Sequence, residues 1–158
     1  MRASFLGAVA LVLTITDAGG QTSYSAVPRL GQQVGFGSAM AIVGPEVAVG
    51  RGGGGATTPR GGGVHFFRRG SDGNWAQSTA IEASDSKPGD GFGAALASEG
   101  EWLAVGAPNA GSGGAVYLFQ RSGNGWREAA RVAPGDVAKG DQFGASVALR
   151  NGVLVIGA

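Results

Sequence analysis

Few side chains in this sequence could take part in catalysis, and those few do not cluster. His65 is the only histidine, and cysteine is absent. A zinc site needs several imidazole or thiolate ligands, and a nucleophilic triad needs a base beside its hydroxyl. His65 stands alone within an apolar run, where a histidine is more often packed than catalytic. We therefore expect no catalytic residue, no metal ligand and no enzymatic activity in this chain.

Two aspartates, Asp90 and Asp141, each stand two residues before a Phe-Gly pair. Such a residue could bind a ligand at the rim of a fold. Aspartate also bonds to nearby backbone in turns, and the sequence favours that interpretation. The other charged residues of the same segments are expected to be solvated in loops. These are Asp85, Lys87, Asp136 and Lys139.

Glycine is the most unusual part of the composition, with 32 residues. Gly52–Gly55 and Gly61–Gly63 form two runs, but they are not phosphate loops, since no Gly-Lys-Ser/Thr and no helix follow them. We interpret them as a flexible loop that exposes Arg51 and Arg60, with anion recognition as the alternative. The net charge of +1 gives no electrostatic footprint for nucleic acid or for an anionic membrane.

Most other landmarks recur at fixed intervals, because three stretches of the chain are copies of one pattern. Each copy opens with a Phe-Gly pair and closes with a glycine fourteen residues after the phenylalanine. The copies run from Phe36-Gly37 to Gly50, from Phe92-Gly93 to Gly106, and from Phe143-Gly144 to Gly157. Trp75 and Trp126 each precede the next such phenylalanine by seventeen residues. A period of 51 to 56 residues is typical of propellers and solenoids.

Each repeat is predicted to contain four short strands. The first begins at the Phe-Gly pair, and the fourth begins at the tryptophan. The second strand is Val47–Val49, Leu103–Val105 or Val153–Ile156, and the third is Val64–Arg68 or Val116–Gln120. The segments between them are rich in Gly, Pro, Asn, Asp and Ser, which suit tight turns. Four strands joined by such turns form one antiparallel blade.

Alternation along the first strand predicts how the blades meet. One face carries bulky residues such as Phe92 and Leu96, and the other carries only Gly, Ala or Ser. Successive residues point to opposite faces, and since neither face is charged we expect both to be buried between neighbouring sheets. The small face would admit the next sheet near a crowded axis, as in a propeller. A solenoid does not need a small face for close approach of sheets at a central axis, and a β-sandwich usually exposes a polar face.

The first twenty residues differ from the rest. Arg2 is followed by the apolar run Phe5–Ile15, which is too short to cross a bilayer, and then by the small residues Ala18–Gly20. We interpret residues 1–20 as a secretory signal that is removed before folding. A buried N-terminal strand or an uncleaved anchor is the alternative. No second apolar run of membrane-spanning length follows.

The repeat resembles the FG-GAP repeat, the blade unit of integrin α-chain propellers and of many bacterial exported proteins. Copy two carries the pattern in Gly89–Gly93, Leu103–Pro108 and Gly114–Phe119, and copy three carries it in Gly140–Gly144 and Val155–Ala158. Copy one departs from the pattern, because Gly50-Arg51-Gly52 occupies the position of Gly-Ala-Pro. The resemblance covers nearly everything after the signal. The kelch repeat is less similar, since its Gly-Gly doublet would directly end the second strand.

Many FG-GAP blades carry a calcium loop of the type Asp-x-Asp-x-Asp-Gly between their first two strands, because calcium needs several oxygen ligands. The corresponding turns here are Val43–Glu46, Ser98–Glu101 and Arg150–Gly152, and none has more than two carboxylates. We expect no cofactor in this chain, so calcium would belong to blades after this sequence. Ser71–Trp75 is similar to the Asp-box of sialidase propellers, but its copy Ser122–Trp126 has no aspartate, which favours a hairpin and a packing tryptophan.

We predict an all-β chain, a β-propeller of four-stranded antiparallel blades, with two complete blades and half of a third. The predicted divisions are a signal peptide at 1–20, a lead-in at 21–33, blade 1 at 34–88, blade 2 at 89–139 and part of blade 3 at 140–158. A closed propeller has about four blades or more. We therefore expect a truncated chain that needs further blades for closure and that associates through exposed sheet edges.

The resemblance implies an exported protein, either secreted, periplasmic or at the cell surface, that binds or adheres through rim loops. The expected partner is a protein or a glycan and not a nucleic acid. The alternative is an accessory propeller of a secreted enzyme, such as a hydrolase, with its catalytic part beyond residue 158. The residues expected to form the structural signature are Phe36, Gly37, Gly50, Trp75, Phe92, Gly93, Gly106, Ala107, Pro108, Trp126, Phe143, Gly144, Gly157 and Ala158.

Overall fold

A computed structural model describes residues 8–14, 23–28, 35–52 and 61–158, and every regular element within these ranges is a β-strand. The predicted all-β class is therefore confirmed. Within the described ranges no helix is long and apolar enough to cross a membrane. The strands are β1 Ala8–Thr14, β2 Ser23–Pro28, β3 Phe36–Val43, β4 Glu46–Arg51, β5 Val64–Arg69, β6 Trp75–Ile81, β7 Ala95–Glu99, β8 Trp102–Ala107, β9 Ala115–Ser122, β10 Gly125–Val132, β11 Ser146–Arg150 and β12 Val153–Gly157.

The strands after residue 35 form the predicted blades. Strands β3 to β6 form one four-stranded antiparallel sheet in chain order, hereafter blade 1, and β7 to β10 form a second, hereafter blade 2. Strands β11 and β12 form a two-stranded sheet, hereafter blade 3. The registers repeat as well, since Val47 pairs with Phe67 in blade 1 and Leu103 pairs with Phe119 in blade 2. Equivalent residues thus occupy equivalent places in the two complete sheets.

An antiparallel hairpin of β1 and β2 precedes blade 1. The backbone of β1 approaches β3, and that of β2 approaches β6. Strand β1 lies within the segment interpreted as a signal, residues 1–20. Its removal before folding stays a prediction, as do the five divisions of the chain.

The core lies between blades 1 and 2, where side chains of both sheets form one cluster. Phe66 of blade 1 stacks on Trp126 of blade 2, with ring centroids 5.2 Å apart. Phe92 packs edge-on against Tyr117 and Phe119 at 5.4 and 5.9 Å. A second cluster on the opposite face of blade 1 consists of Phe36, Val47, Val49 and Phe67, with Trp75 packed against it. Both tryptophans therefore act in packing, as the hairpin interpretation predicts.

The prediction that both faces of the first strand are buried is correct only in part, since between blades most of its residues are half-buried and at the two ends one face is exposed. Met40 and Ile42, on the bulky face of blade 1, are 51% and 79% exposed. On blade 3 the small face is exposed, together with Val153 and Val155 of the neighbouring strand. On blade 1 the exposure is limited to β3, because Val49 and Phe67 on the same face are buried. On blade 3 the described residues place a neighbouring blade on the other face only.

The start of the first strand also differs from the prediction. In blade 1 it begins at Phe36, but β7 begins three residues after Phe92 and β11 three residues after Phe143. Each of these phenylalanines instead forms a single parallel bridge, with Gly62 or Gly114 of the preceding blade. In blades 2 and 3 the Phe-Gly pair is therefore a joint to the preceding blade and not the first residues of a strand.

Candidate functional site

The joint between blades, hereafter the FG joint, is a backbone clamp around one phenylalanine. The amide of Phe92 donates to the carbonyl of Gly61 at 2.8 Å, and the amide of Gly63 donates to the carbonyl of Phe92 at 3.0 Å. In the next joint the amide of Phe143 donates to the carbonyl of Gly113 at 2.8 Å. The loop between the second and third strands of one blade thus holds the start of the next blade.

These bonds correct the interpretation of Gly61–Gly63 as part of a flexible loop. The three glycines are buried, and a Cβ on Gly62 would overlap the carbonyl oxygen of Phe92. Arg51 is also half-buried, and its guanidinium donates to the carbonyl of Gly62 at 3.3 Å, so it is not the exposed residue that we predicted. Arg60 and the run up to Gly55 lie outside the described residues, apart from Gly52.

The glycine after each phenylalanine turns the chain towards the preceding sheet. Gly37, Gly93 and Gly144 have φ values of 89°, 94° and 91°, which other residues rarely adopt. The carbonyl of Gly93 faces Gly50, and that of Gly144 faces Gly106. Both contacts are so close that a Cβ on Gly50 or Gly106 would overlap the facing oxygen. The contact between adjacent blades therefore joins the last glycine of one copy to the first glycine of the next. The fourteen-residue spacing within a copy reflects pairing inside one blade, where the amide of Gly93 donates to the carbonyl of Gly106 at 3.0 Å and that of Gly144 to the carbonyl of Gly157 at 2.9 Å.

Asp90 and Asp141 form turns, as predicted. The carboxylate of Asp90 accepts the amide of Lys87 at 2.8 Å, and that of Asp141 accepts the amide of Ala138 at 2.7 Å. In both cases the aspartate amide also donates back to the carbonyl of the same residue. The two carboxylates thus shape the connection that leads into each FG joint.

The FG joints, the loops between second and third strands and the connections between blades lie together, and we call this end of the sheets the loop rim. A groove of about 200 Å³ opens there between blades 2 and 3. Its lining is polar and rich in glycine: Pro108, Asn109, Gly111, Ser112, Gly113, Gly114, Lys139, Gly140 and Gln142. A groove of this size accommodates a single side chain or a sugar ring.

A charged network that the sequence analysis missed connects blades 1 and 2. Glu46 is 2% exposed and accepts from Arg121 of blade 2 at 2.9 Å, from Arg68 at 3.3 Å and from the Ser78 hydroxyl at 2.7 Å. Burial raises the pKa of Glu46, but the hydrogen bonds from Ser78 and Arg121 and the charges of both arginines outweigh it, so the pKa is lowered. The one feature of the sequence that could have indicated this network was a carboxylate placed between Pro45 and an apolar strand.

A second network lies between the connection after blade 1 and blade 2. The hydroxyl of Tyr117 donates to Asp85 at 2.6 Å and accepts from Arg131 at 3.2 Å, and Arg131 forms an ion pair with Asp85 at 3.2 Å. Burial, together with the bond to Asp85, raises the pKa of Tyr117 to about 12. Asp85 is exposed, as predicted for a loop charge, but it also has structural partners. Lys87, Asp136 and Lys139 are exposed as predicted.

His65 is packed, as its position predicts. Its ring lies edge-on to Phe36 with centroids 5.6 Å apart. Burial, and next the nearby charge of Arg51, lowers the pKa of His65. Among the described residues no three His, Cys, Asp or Glu side chains lie close enough to hold a metal ion. The described geometry thus offers backbone clamps and the polar groove on the loop rim.

The comparisons with known proteins address the repeat directly. The FG-GAP repeat matches residues 75–119 and 126–158. No curated protein matches the chain. Both matched spans begin at one of the tryptophans Trp75 and Trp126, pass through an FG joint and end in the following blade. With its four-stranded antiparallel blades and its clamped Phe-Gly pairs, this chain is an FG-GAP repeat protein with a β-propeller fold.

Proposed function

We propose that this chain is a secreted or cell-surface module that binds a protein or glycan on its loop rim, without catalysis and without a resident cofactor. The groove between blades 2 and 3 carries the proposal, because Asn109, Ser112 and Lys139 converge there on backbone fixed by the FG joint. FG-GAP repeats are typical of extracellular proteins, and the predicted signal at residues 1–20 agrees with export. The exposed cation of Lys139 favours a ligand with an acidic group.

The use of the other polar groups supports a binding role. Glu46, Tyr117 and Asp85 are engaged in contacts between blades, and Asp90 and Asp141 form turns. These side chains act within the scaffold, whereas the lining of the groove faces outwards. Binding residues on loops held by a rigid scaffold are a general arrangement in proteins.

The proposal is tested by applying the chain to an array of immobilised glycans, including acidic sugars, and to immobilised extracellular matrix proteins. Asn109→Ala and Lys139→Ala are compared with Arg127→Ala, an exposed control on β10. We expect the two groove variants to bind about tenfold more weakly than the wild type, while the control is unchanged. Equal binding by all four chains, or binding to none of the probes, would contradict the proposal.

A further inference from the structure

The chain contains two Asn-Gly pairs, and both lie in hairpin turns. Asn124-Gly125 lies where β9 leads into β10, and Asn151-Gly152 joins β11 to β12. In such a pair the backbone can attack the asparagine side chain with little hindrance, because glycine places no side chain beside the attacking nitrogen. The two pairs have the same intrinsic chemistry, so any difference in their reactivity comes from the structure around them.

The Asn151-Gly152 turn is held by a carboxylate of the neighbouring blade. The amide of Asn151 donates to Glu99 at 2.7 Å, and the amide of Gly152 donates to the same carboxylate at 3.1 Å. The φ values of the two turn residues are 51° and 72°, as in a type I′ turn. The Gly152 nitrogen must lose its proton to attack a carbonyl carbon, and a negative charge beside it disfavours that loss. The contact with Glu99 therefore opposes reaction at this pair.

The Asn124-Gly125 turn has no such contact. Asn124 is exposed, and within the part of the chain that the structure describes its side chain has no hydrogen-bond partner. Gly125 pairs with the neutral backbone of Ser122 across the turn, and a Cβ on Gly125 would meet only the carbonyl of Ser122, at 3.9 Å. The side chain of Asn124 is therefore able to rotate towards the Gly125 nitrogen.

The exposure of this turn is a property of the blade and not of its neighbours. In the equivalent turn of blade 1, Ser71, Asp72 and Asn74 are also exposed. They are exposed although blade 2 packs against blade 1. A turn at this place thus remains open to water beside a complete neighbouring blade.

We propose that Asn124 is a site of spontaneous deamidation and that Glu99 protects Asn151 from the same reaction. The backbone nitrogen of Gly125 attacks Cγ of Asn124, the N–Cγ bond forms, the Cγ–Nδ2 bond breaks, and ammonia leaves with the proton of the Gly125 amide. Water then opens the succinimide ring at either carbonyl, which gives aspartate or isoaspartate. The attack is intramolecular and needs no enzyme. The proposal does not rest on the binding role of the loop rim.

The modification would act on the contact between blades 1 and 2. Trp126 directly follows the turn, stacks on Phe66 of blade 1 and lies beside the guanidinium of Arg121. Isoaspartate adds one carbon atom to the backbone of the turn, so it moves the start of β10 relative to β9. The packing of Trp126 is therefore coupled to the chemical state of the turn.

The test incubates the full chain at neutral pH and physiological temperature. Peptide mass spectrometry follows both asparagines in the same sample, and a parallel sample in concentrated urea gives the rates in the unfolded chain. Gly125→Ala adds a methyl group beside the attacking nitrogen, in space that admits it. Glu99→Ala removes the protecting carboxylate, and Glu101→Ala, at an exposed carboxylate two residues later, is its matched control. Circular dichroism melts confirm folding.

In the folded chain we expect Asn124 to convert at least about tenfold faster than Asn151, and in urea we expect similar rates. Gly125→Ala should slow conversion of Asn124 alone. Glu99→Ala should accelerate conversion of Asn151 alone, whereas Glu101→Ala should change neither rate. No conversion of Asn124, or equal rates at the two sites of the folded chain, would overturn the assignment of the site. An unchanged rate at Asn151 in folded Glu99→Ala would overturn the protecting role of Glu99.

Discussion

At the residue scale, the absence of a Cβ atom at the contact glycines decides whether neighbouring blades can pack against each other. Gly106 lies in β8, and a Cβ there would overlap the carbonyl oxygen of Gly144 in the next blade. Both partners belong to backbone that is already hydrogen-bonded, so neither can move without breaking other contacts. The glycines at the ends of the pattern are thus determinants of the distance between sheets.

Gly106→Ala should destabilise the chain by about 2 kcal/mol, because the added methyl forces blades 2 and 3 apart. Gly125→Ala is the control, since Gly125 also lies in a strand and a Cβ there would meet only the carbonyl of Ser122, at 3.9 Å. Urea denaturation at one fixed protein concentration measures both variants. If the two midpoints coincide, contact between Gly106 and Gly144 does not limit the packing of the blades.

At the element scale, the sheets are held by polar contacts as well as by their cores. Arg121 reaches Glu46 across the interface while its guanidinium lies 4.6 Å from the centroid of the Trp126 ring. At the opposite end from the loop rim, the carboxylate of Glu99 accepts the amides of Asn151 and Gly152 in blade 3. Each pair of neighbouring blades thus shares at least one hydrogen-bonded carboxylate.

Glu46→Gln should lose about 2 kcal/mol of stability at neutral pH, since it removes a charged acceptor of three hydrogen bonds. The folded pKa of Glu46 is lowered, so its contribution is present above the ordinary value of 4.5 and disappears as the pH falls through the folded pKa. The difference between the two chains should therefore shrink in acid. Thermal melts from pH 7 to pH 3 measure it, with Glu101→Gln in an exposed turn as the control.

The sequence carried most of the information about elements and little about contacts between them. Strand positions followed from apolar runs between turn residues, so Val64–Arg68 was predicted almost as the structure has it. The role of the Phe-Gly pair was missed, because its partners Gly61 and Gly113 belong to the preceding blade. Glu46 and Arg121 are 75 residues apart, and no local pattern joins them.

At the scale of the whole molecule, the three sheets are not equally protected. Strand β8 lies between two neighbours, and its residues Leu103 and Val105 are fully buried. Strand β12 pairs only with β11, and its residues Val153 and Val155 are about 60% exposed. Sheets with fewer neighbours open locally at a lower free energy.

Hydrogen exchange should therefore distinguish equivalent strands of different blades. We expect the amides of β8 to exchange at least about 100-fold more slowly than those of β12, even though the two strands share a sequence pattern. Mass spectrometry of peptides covering 102–107 and 153–157 measures the difference. Similar protection in the two peptides would show that β12 has a partner along its free edge in solution.

The FG joint also gives the chain a direction of assembly. The clamp around Phe92 is built by Gly61 and Gly63, and the clamp around Phe143 is built by Gly113, so each receiving site precedes its phenylalanine in sequence. Synthesis releases a chain from its N-terminus, and structural units generally fold in that order. Every blade can consequently be templated by a finished neighbour as it emerges. Blades would therefore fold one after another from the N-terminus to the C-terminus during synthesis, each on the surface of the blade completed before it.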